Sequence, residues 1–209
     1  MDKEQTEFFR ILLEDVQWAL DGAAKSDTAA DRRNLLRTIV SAAEGVSWVY
    51  RMHILSMAKD LDVATPQMEM AFAEATFSIS SSGEMVEQAR YISLTAMIRF
   101  STKVAQTFCP DLVVDFGHVG WQRLKVAIAT RNRITHPKKN QDLDVSEGDV
   151  EAAKVGFFWF LEMSLHVMEQ TVRELRISAL MTRKVVDELI AGDPDTLALY
   201  ERVHRERDE

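Results

Sequence analysis

The 209-residue chain is 46% hydrophobic and 28% charged, which is ordinary for a globular protein with one sizeable core. We therefore expect a single domain spanning residues 1–209. The net charge of −8 excludes a protein that coats nucleic acid indiscriminately, because such binding needs many cationic contacts to phosphates. Cys109 is the single cysteine and the five histidines are scattered, so we expect no disulfide framework, no metal site and no cofactor.

The sequence also predicts a cytoplasmic protein that does not contact a membrane. It has no apolar run of about eighteen residues, the length that a membrane helix needs. Its first residues, Asp2, Lys3 and Glu4, differ from the basic and then apolar leader of a secreted protein.

Two helices are predicted at the start of the chain. Apolar residues recur at three- and four-residue steps over residues 3–20, and Gly22 is expected to end that helix. Asp27 or Thr28 can cap a second helix, which continues to about Lys59.

Glu44 lies inside the second helix between the small residues Ala43 and Gly45. We expect close packing there, so that the carboxylate is partly buried and needs a partner. Two interpretations remain open at this point. Glu44 is either one half of a structural ion pair or a contributor to a functional site.

The middle of the chain predicts two further helices. Thr65-Pro66 combines a capping residue with a proline at the first helical position, and residues 78–83 are expected to break the short helix that follows. The sequence Ser81-Ser82-Gly83-Glu84 has capping-box spacing, which predicts a fourth helix through Met85 to Cys109.

A basic stretch follows, Arg131-Asn132-Arg133-Ile134-Thr135-His136-Pro137. Residues 120–129 predict an amphipathic helix capped by Asp115, so Arg131 should lie in its last turns. His136 should lie where the chain leaves the helix, because Pro137 disfavours the α conformation in the residue before it. A guanidinium can hold a phosphate through two hydrogen bonds, and an imidazole exchanges protons near neutral pH. The combination suits phosphodiester chemistry.

The charge distribution around this stretch is uneven. Between Asp115 and Asp142 the chain has no acidic residue and six cationic ones, namely Arg123, Lys125, Arg131, Arg133, Lys138 and Lys139. A basic patch on an otherwise acidic protein suits a cleft for one short anionic segment. The structural alternative is a solvated helix end, where cations complement the helix dipole and His136 is a capping residue.

The closing part of the chain predicts one long helix from Ser146 to Gly192 and a terminal helix at residues 195–206. Phe157-Phe158-Trp159-Phe160 lies near the start of the long helix, and four successive residues point in nearly all directions around a helix axis. We therefore expect a second copy of the chain to cover some of these aromatic side chains, which predicts a two-fold dimer.

The predicted fold class is all-α, an up-and-down helical bundle of about five to seven helices. No segment alternates with period two for long enough to predict a strand. The sequence also has no Gly-rich phosphate loop and no Gly-x-Ser-x-Gly motif.

The order of these features resembles the HEPN domain superfamily. A long second helix carries Arg37 and Glu44, a basic helix ends in Arg-Asn-Arg-Ile-Thr-His, and a polar loop and a long closing helix follow. The signature of that superfamily is an Arg, usually followed by a polar residue, with a His after four to six intervening positions. The resemblance covers about residues 31–189, with an added helical segment at about 61–83.

The resemblance implies a helical bundle that dimerises and cleaves RNA without a metal, in many members as a toxin or in antiviral defence. It implies that Arg131 holds the scissile phosphate, that His136 transfers the proton and that Asn132 orients one of them. Further substrate-binding residues are expected at Arg123, Arg133, Thr135, Lys138 and Lys139, and Glu44 is a possible contributor.

Two alternatives to a toxin nuclease stay open. Members that pair with a nucleotidyltransferase antitoxin usually have Tyr two positions after the His, where this chain has Lys138. We therefore expect an antitoxin or other regulatory protein as a possible partner, but not a nucleotidyltransferase antitoxin in particular. The competing hypothesis is a non-catalytic helical adaptor that binds a partner protein or a nucleotide with the same fold.

Overall fold

The computed structural model describes residues 3–208, and over that range it is a bundle of seven α-helices with one small β-hairpin. The predicted all-α class is therefore confirmed. In chain order the elements are α1 (Lys3–Ser26), α2 (Ala29–Asp60), α3 (Pro66–Phe72), β1 (Ala75–Ile79), β2 (Met85–Ala89), α4 (Leu94–Phe108), α5 (Val119–Thr135), a 3-10 turn (Asn140–Leu143), α6 (Glu147–Ala191) and α7 (Pro194–Asp208).

Helix α2 is the centre of the bundle, because it packs against α1, α4, α5 and α6. A capping box formed by Thr28 and Asp31 begins it, as the sequence predicts. Two buried polar side chains of α2 fix its neighbours. The hydroxyl of Tyr50 lies 2.9 Å from Thr102 Oγ1 of α4, and His53 Nε2 lies 2.9 Å from Thr171 Oγ1 of α6. Burial lowers the pKa of His53 to about 4, so this imidazole is neutral at physiological pH.

Helix α5 lies directly on α6 because a glycine lets the two backbones touch. A Cβ atom at Gly156 would come within 2.4 Å of the backbone nitrogen of Leu124. Trp121 and Leu124 of α5 are buried beside Phe160 of α6. This contact fixes the axis of α5 and hence the direction in which the basic stretch leaves the bundle.

Two predicted helix boundaries are wrong, the end of α1 and the start of α5. Helix α1 passes through Gly22 to Ser26, because one interior glycine costs only about 1 kcal/mol and Ala23 packs on the core. Helix α5 is capped by His118, whose Nδ1 accepts from the Gly120 N–H at 3.0 Å. Asp115 instead accepts a hydrogen bond from the Gly117 N–H at 2.7 Å.

The predicted fourth helix begins too early, and the added segment at 61–83 is not wholly helical. Residues 75–79 and 85–89 form an antiparallel hairpin, with Gly83 at a positive φ of 83° in the turn between them. Helix α4 starts at Leu94, and the hydroxyl of Ser93 caps it. The capping-box pattern at Ser81 therefore marked a hairpin turn, since the same small polar residues serve both structures.

The aromatic run in α6 is mostly covered within one chain, which contradicts the reason given above for a dimer. Phe157 and Phe160 are fully buried. Trp159 packs against Phe116 and Trp121, with ring centroids 6.3 Å and 5.9 Å apart. Only Phe158 of the four remains exposed. The segment before α5 and its first turn supply the covering surface that the sequence analysis assigned to a second copy.

The long helix α6 outgrows the bundle. Its 45 residues span about 68 Å, yet its last buried residue is Thr171. Residues 172–191 and helix α7 form what we call the arm. The arm exposes eleven large apolar side chains: Val172, Ile177, Leu180, Met181, Val185, Val186, Ile190, Leu197, Leu199, Tyr200 and Val203. No helix within residues 3–208 combines the length and the apolar character that crossing a bilayer requires.

Candidate functional site

The basic stretch lies at the exposed end of α5, as the sequence predicts. Arg131 is in the last two turns, and His136 is the C-capping residue, whose backbone N–H donates to the Asn132 carbonyl at 3.1 Å. With φ −123° and ψ 58°, His136 has left the helical conformation. Its imidazole is exposed, and so is the Asn132 side chain. Both groups are open to a ligand.

Glu44 is the partner of Arg131, although the two residues are 87 positions apart in the sequence. The Arg131 guanidinium donates to Glu44 Oε1 across the gap between α5 and α2. The Glu44 side chain is 47% exposed and that of Arg131 is 23% exposed, so the carboxylate is only partly buried and has the partner that the sequence analysis expected. A partly exposed pair of this kind contributes about 1 kcal/mol to stability.

Arg37 is a site residue that the sequence analysis did not place. Its Nη2 donates to the Ile134 carbonyl at 3.2 Å, so α2 also holds the carbonyl end of α5. Arg37 and Glu44 are seven residues apart, which puts them on the same face of α2. That spacing was visible in the sequence, but only the structure shows that this face meets the end of α5.

Arg133 has a different environment from Arg131. Its guanidinium donates to the carbonyls of Gln141, Asp142 and Asp144 at 2.8 to 3.2 Å, and so holds the loop after α5. These bonds use three of the five N–H donors of the guanidinium, so a phosphate would have to compete with the loop carbonyls for Arg133. We therefore withdraw Arg133 from the expected substrate-binding set and assign it to the loop.

The same loop uses the backbone of the two lysines that follow Pro137. The N–H groups of Lys138 and Lys139 donate to Asp142 Oδ2 at 2.8 Å and 3.1 Å. The hydrogen bond from the Lys138 N–H in particular holds the pKa of Asp142 below its ordinary value, with a smaller contribution from Lys139. Both lysine side chains are exposed, so their ammonium groups point to solvent near the end of α5.

Two other predicted residues are not brought into this cluster as substrate ligands. The Thr135 hydroxyl donates to the Arg131 carbonyl at 2.7 Å, which is a bond within its own helix. Arg123 is exposed eight residues before Arg131, about 12 Å earlier along the α5 axis. Arg123 can reach only a longer ligand.

An exposed tryptophan adjoins the cluster from α1. Trp18 is 81% exposed and, with Arg37 and Ser41, lines a cavity of about 370 Å³ between α1 and α2. The sequence signal was available, because Trp18 falls outside the apolar positions that make α1 amphipathic. A large aromatic side chain on a solvent-facing helix surface indicates a contact surface.

The described residues contain no group of three or more His, Cys, Asp or Glu side chains arranged to hold a metal ion. Cys109 is buried, and burial raises the pKa of its thiol to about 11, so it is not a reactive nucleophile.

In comparisons with known proteins, no family model matches the chain, and neither does any curated protein or solved structure. The resemblance to HEPN domains therefore rests on the residues of the basic stretch and on the order of the helices.

Proposed function

We propose that this chain is an endoribonuclease that cleaves single-stranded RNA without a metal ion and leaves 2′,3′-cyclic phosphate ends. One observation carries the proposal. The end of α5 presents an exposed imidazole, His136, and an exposed amide, Asn132, and its last two turns carry a guanidinium, Arg131, that α2 holds through Glu44. The motif is open to solvent, which is what a site for a polymeric substrate requires.

The proposed chemistry needs only groups of the chain and the RNA. The His136 imidazole takes the proton of the ribose 2′-hydroxyl, and the 2′-oxygen attacks the adjacent phosphorus. The bond from phosphorus to the 5′-oxygen breaks, that oxygen takes a proton from water as it leaves, and the protonated His136 later returns its proton to water. Arg131 stabilises the charge that develops on the phosphate oxygens, through a fork geometry that a lysine cannot reproduce. DNA is spared because it lacks the 2′-hydroxyl.

The test is an RNase assay in excess EDTA with a fluorescent single-stranded RNA and the DNA of the same sequence as control. We expect cleavage of the RNA alone, and product ends that resist alkaline phosphatase until acid opens the cyclic phosphate, whereas simple 3′-phosphates are removed directly. Activity that disappears with EDTA and returns with Mg²⁺ would contradict the mechanism. Cleavage of the DNA control would contradict the role of the 2′-hydroxyl.

We also propose that the protein acts as a homodimer, now on the strength of the arm. Fully burying one large aliphatic side chain contributes about 1.5 to 3 kcal/mol. At about 25 cal/mol per Å², this corresponds to roughly 60 to 120 Å² of apolar surface removed from water. Eleven half-exposed side chains therefore offer about 350 to 650 Å² of apolar surface on each copy. A standard interface buries about 800 Å² per partner, so polar rim atoms would supply the remainder.

The dimer is tested by charging the arm. Leu180 and Met181 are 58% and 65% exposed, so Leu180→Glu with Met181→Glu should leave the monomer folded and the helical circular dichroism unchanged. Light scattering should report a dimer for the native protein and a monomer for the variant. Val113→Glu, at an exposed position outside the arm, is the matched control. A native protein that is monomeric at micromolar concentration would overturn the proposal.

The arm also favours the second candidate function, a helical adaptor that binds another protein. A surface of this kind suits a helical partner as well as a second copy. A toxin that a regulatory partner inhibits would combine the nuclease with the binding of another protein. In that case expression of the native protein should arrest growth, and His136→Ala should relieve the arrest. An adaptor predicts instead that native protein and His136→Ala behave alike in growth and in the RNase assay.

A further inference from the structure

We propose that a cavity beside the Arg131–Glu44 pair binds one unpaired nucleobase of the RNA. The cavity has a volume of about 260 Å³ and lies between α2, the segment after β2 and the start of α4. Trp48, Tyr91, Arg51 and Glu44 are among the residues that line it. Its volume is just under the range of about 300 to 1,000 Å³ that drug-sized ligands occupy, so it suits one planar base and not a folded nucleic acid.

Two aromatic side chains give the cavity faces on which a base can stack. Tyr91 is 86% exposed and Trp48 is 41% exposed. The Trp48 ring is held from behind by Phe8 of α1 in an edge-to-face contact, with centroids 5.9 Å apart. A fixed aromatic face needs no ordering when a base arrives. Stacking of this kind accepts all four bases, which suits single-stranded RNA.

Arg51 lines the cavity and has one hydrogen-bond donor without a partner. Its Nη1 donates to Glu74 Oε2 at 2.8 Å, but its Nε is buried without any hydrogen-bond partner. A buried donor that lacks an acceptor destabilises the fold, so such atoms are rare in proteins. A nucleobase offers carbonyl oxygens and ring nitrogens that accept hydrogen bonds in the plane of the ring. The Nε atom is closed to solvent, so a base in the cavity reaches this donor only when the Arg51 side chain turns toward it.

The charges in the cavity permit a base but do not attract a phosphate. Glu74 accepts from Arg51 and from the backbone N–H of Ile92 at 3.1 Å, so its charge is compensated. The Glu44 carboxylate is likewise compensated by Arg131. The two carboxylates and two guanidiniums leave the cavity close to neutral. A neutral ring with hydrogen-bonding edges matches that environment better than an anion does.

The cavity is connected to the proposed cleavage site through Glu44, and this part of the inference rests on the proposed function. Glu44 lines the cavity and also holds Arg131. Trp48 lies one helical turn beyond Glu44, about 6 Å along the α2 axis. Stacked nucleotides are about 3.4 Å apart and unstacked ones are farther apart. The base that occupies the cavity therefore belongs to a nucleotide within one or two positions of the scissile phosphate.

The experiment measures RNA binding in a background that does not cleave. Fluorescence anisotropy of a labelled eight-nucleotide single-stranded RNA gives the Kd of His136→Ala and of the same variant carrying Tyr91→Ala. We expect Tyr91→Ala to weaken binding about tenfold, from the loss of one stacking face. Tyr91→Phe keeps the face and should bind like the parent. Phe77→Ala removes another exposed ring of the neighbouring hairpin that does not line the cavity, and it should bind like the parent as well.

The outcomes separate this inference from the nuclease proposal. If the native protein cleaves RNA but Tyr91→Ala leaves the Kd unchanged, the base-binding cavity is wrong and the nuclease stands. If the native protein does not cleave but binding still depends on the Tyr91 ring, the cavity stands and the nuclease is wrong. A double-stranded RNA of the same sequence has no unpaired base to offer, so Tyr91→Ala should not change its Kd. A protein that binds no RNA would overturn both proposals.

Discussion

The two sides of the α5 end differ in what their cations do. On the side facing α2, Arg131 meets a single half-exposed carboxylate, that of Glu44. On the side facing the loop, Arg133 donates to three backbone carbonyls. The two arginines are only two residues apart, but 200° of helical rotation separates their side chains. The number of cations in a sequence therefore says little about how many are free to hold a phosphate.

The difference also bears on the alternative interpretation, in which the basic stretch is only a capped helix end. The capping interpretation describes the loop side well, because Arg133 and the backbone of Lys138 and Lys139 all stabilise the exit of the chain. It does not describe the side facing α2. There, Arg37 already satisfies the Ile134 carbonyl, so neither Arg131 nor the His136 side chain is needed for that bond. The nuclease proposal therefore concerns the side facing α2, whereas the loop side holds the exit of the chain from the helix.

The largest effect is expected for His136→Ala, which removes the proton-transfer group and leaves both sides of the α5 end intact. General acid–base catalysis contributes about 10² to 10⁴ in rate, so cleavage should fall by that factor. The side chain is exposed, so the thermal midpoint should stay within about 1 °C of the native value. Initial rates and a melting curve on the same sample check this. A variant that keeps more than half of its activity would exclude His136 from the chemistry.

Arg131→Lys is expected to have the next largest effect, because it keeps the charge and removes the planar fork. A lysine can still pair with Glu44 but cannot hold two phosphate oxygens at once. We expect kcat to fall about 10- to 100-fold, with melting unchanged because the half-exposed pair contributes little to stability. Near-native activity would mean that Arg131 is a surface cation like the lysines after Pro137.

Arg133→Ala is the matched opposite of that variant, on the loop side of the same helix. It removes three hydrogen bonds that hold the loop, so we expect the free energy of unfolding to fall by about 1 to 2 kcal/mol. The activity of the folded molecules should stay within about twofold of native. Urea unfolding and kcat/KM below the transition separate the two properties. If activity falls and stability does not, the division between the two sides is wrong.

The sequence was sufficient wherever a structural signal is local. The capping residues Thr28 and Ser146 and the terminating Gly192 are where the pattern puts them, because caps are decided within four residues. Arg131 and His136 also lie where Pro137 and the helical periodicity predict. The class of the fold followed from the same short-range patterns.

The rest depended on contacts between distant residues. Glu44 meets Arg131 across 87 positions, and Phe116 covers Trp159 across 43, so neither contact follows from spacing. The hairpin was missed for another reason. Its strands are five residues each and expose most of their side chains, so they lack the alternating burial that would mark them.

The smallest effect is expected for Glu44→Gln. This variant tests how the negative charge of Glu44, on the side of α5 that faces α2, affects cleavage. Glu44 has two opposite influences on cleavage. It fixes the Arg131 guanidinium, which should raise kcat, and it places a negative charge near the substrate phosphate, which should raise KM. An exposed pair is worth at most about 1 kcal/mol, so each influence should amount to no more than about fivefold.

We therefore expect Glu44→Gln to lower both kcat and KM by about two- to fivefold, with kcat/KM nearly unchanged. Glutamine keeps the shape and a hydrogen-bond acceptor, so the comparison isolates the charge. The effect on KM should shrink as the salt concentration rises from about 50 to about 300 mM. The Debye length falls below about 10 Å in that range, so the Glu44 carboxylate repels the substrate phosphate less. An unchanged kcat in Glu44→Gln would mean that Arg131 is positioned by the substrate alone and that the ion pair is only a resting contact.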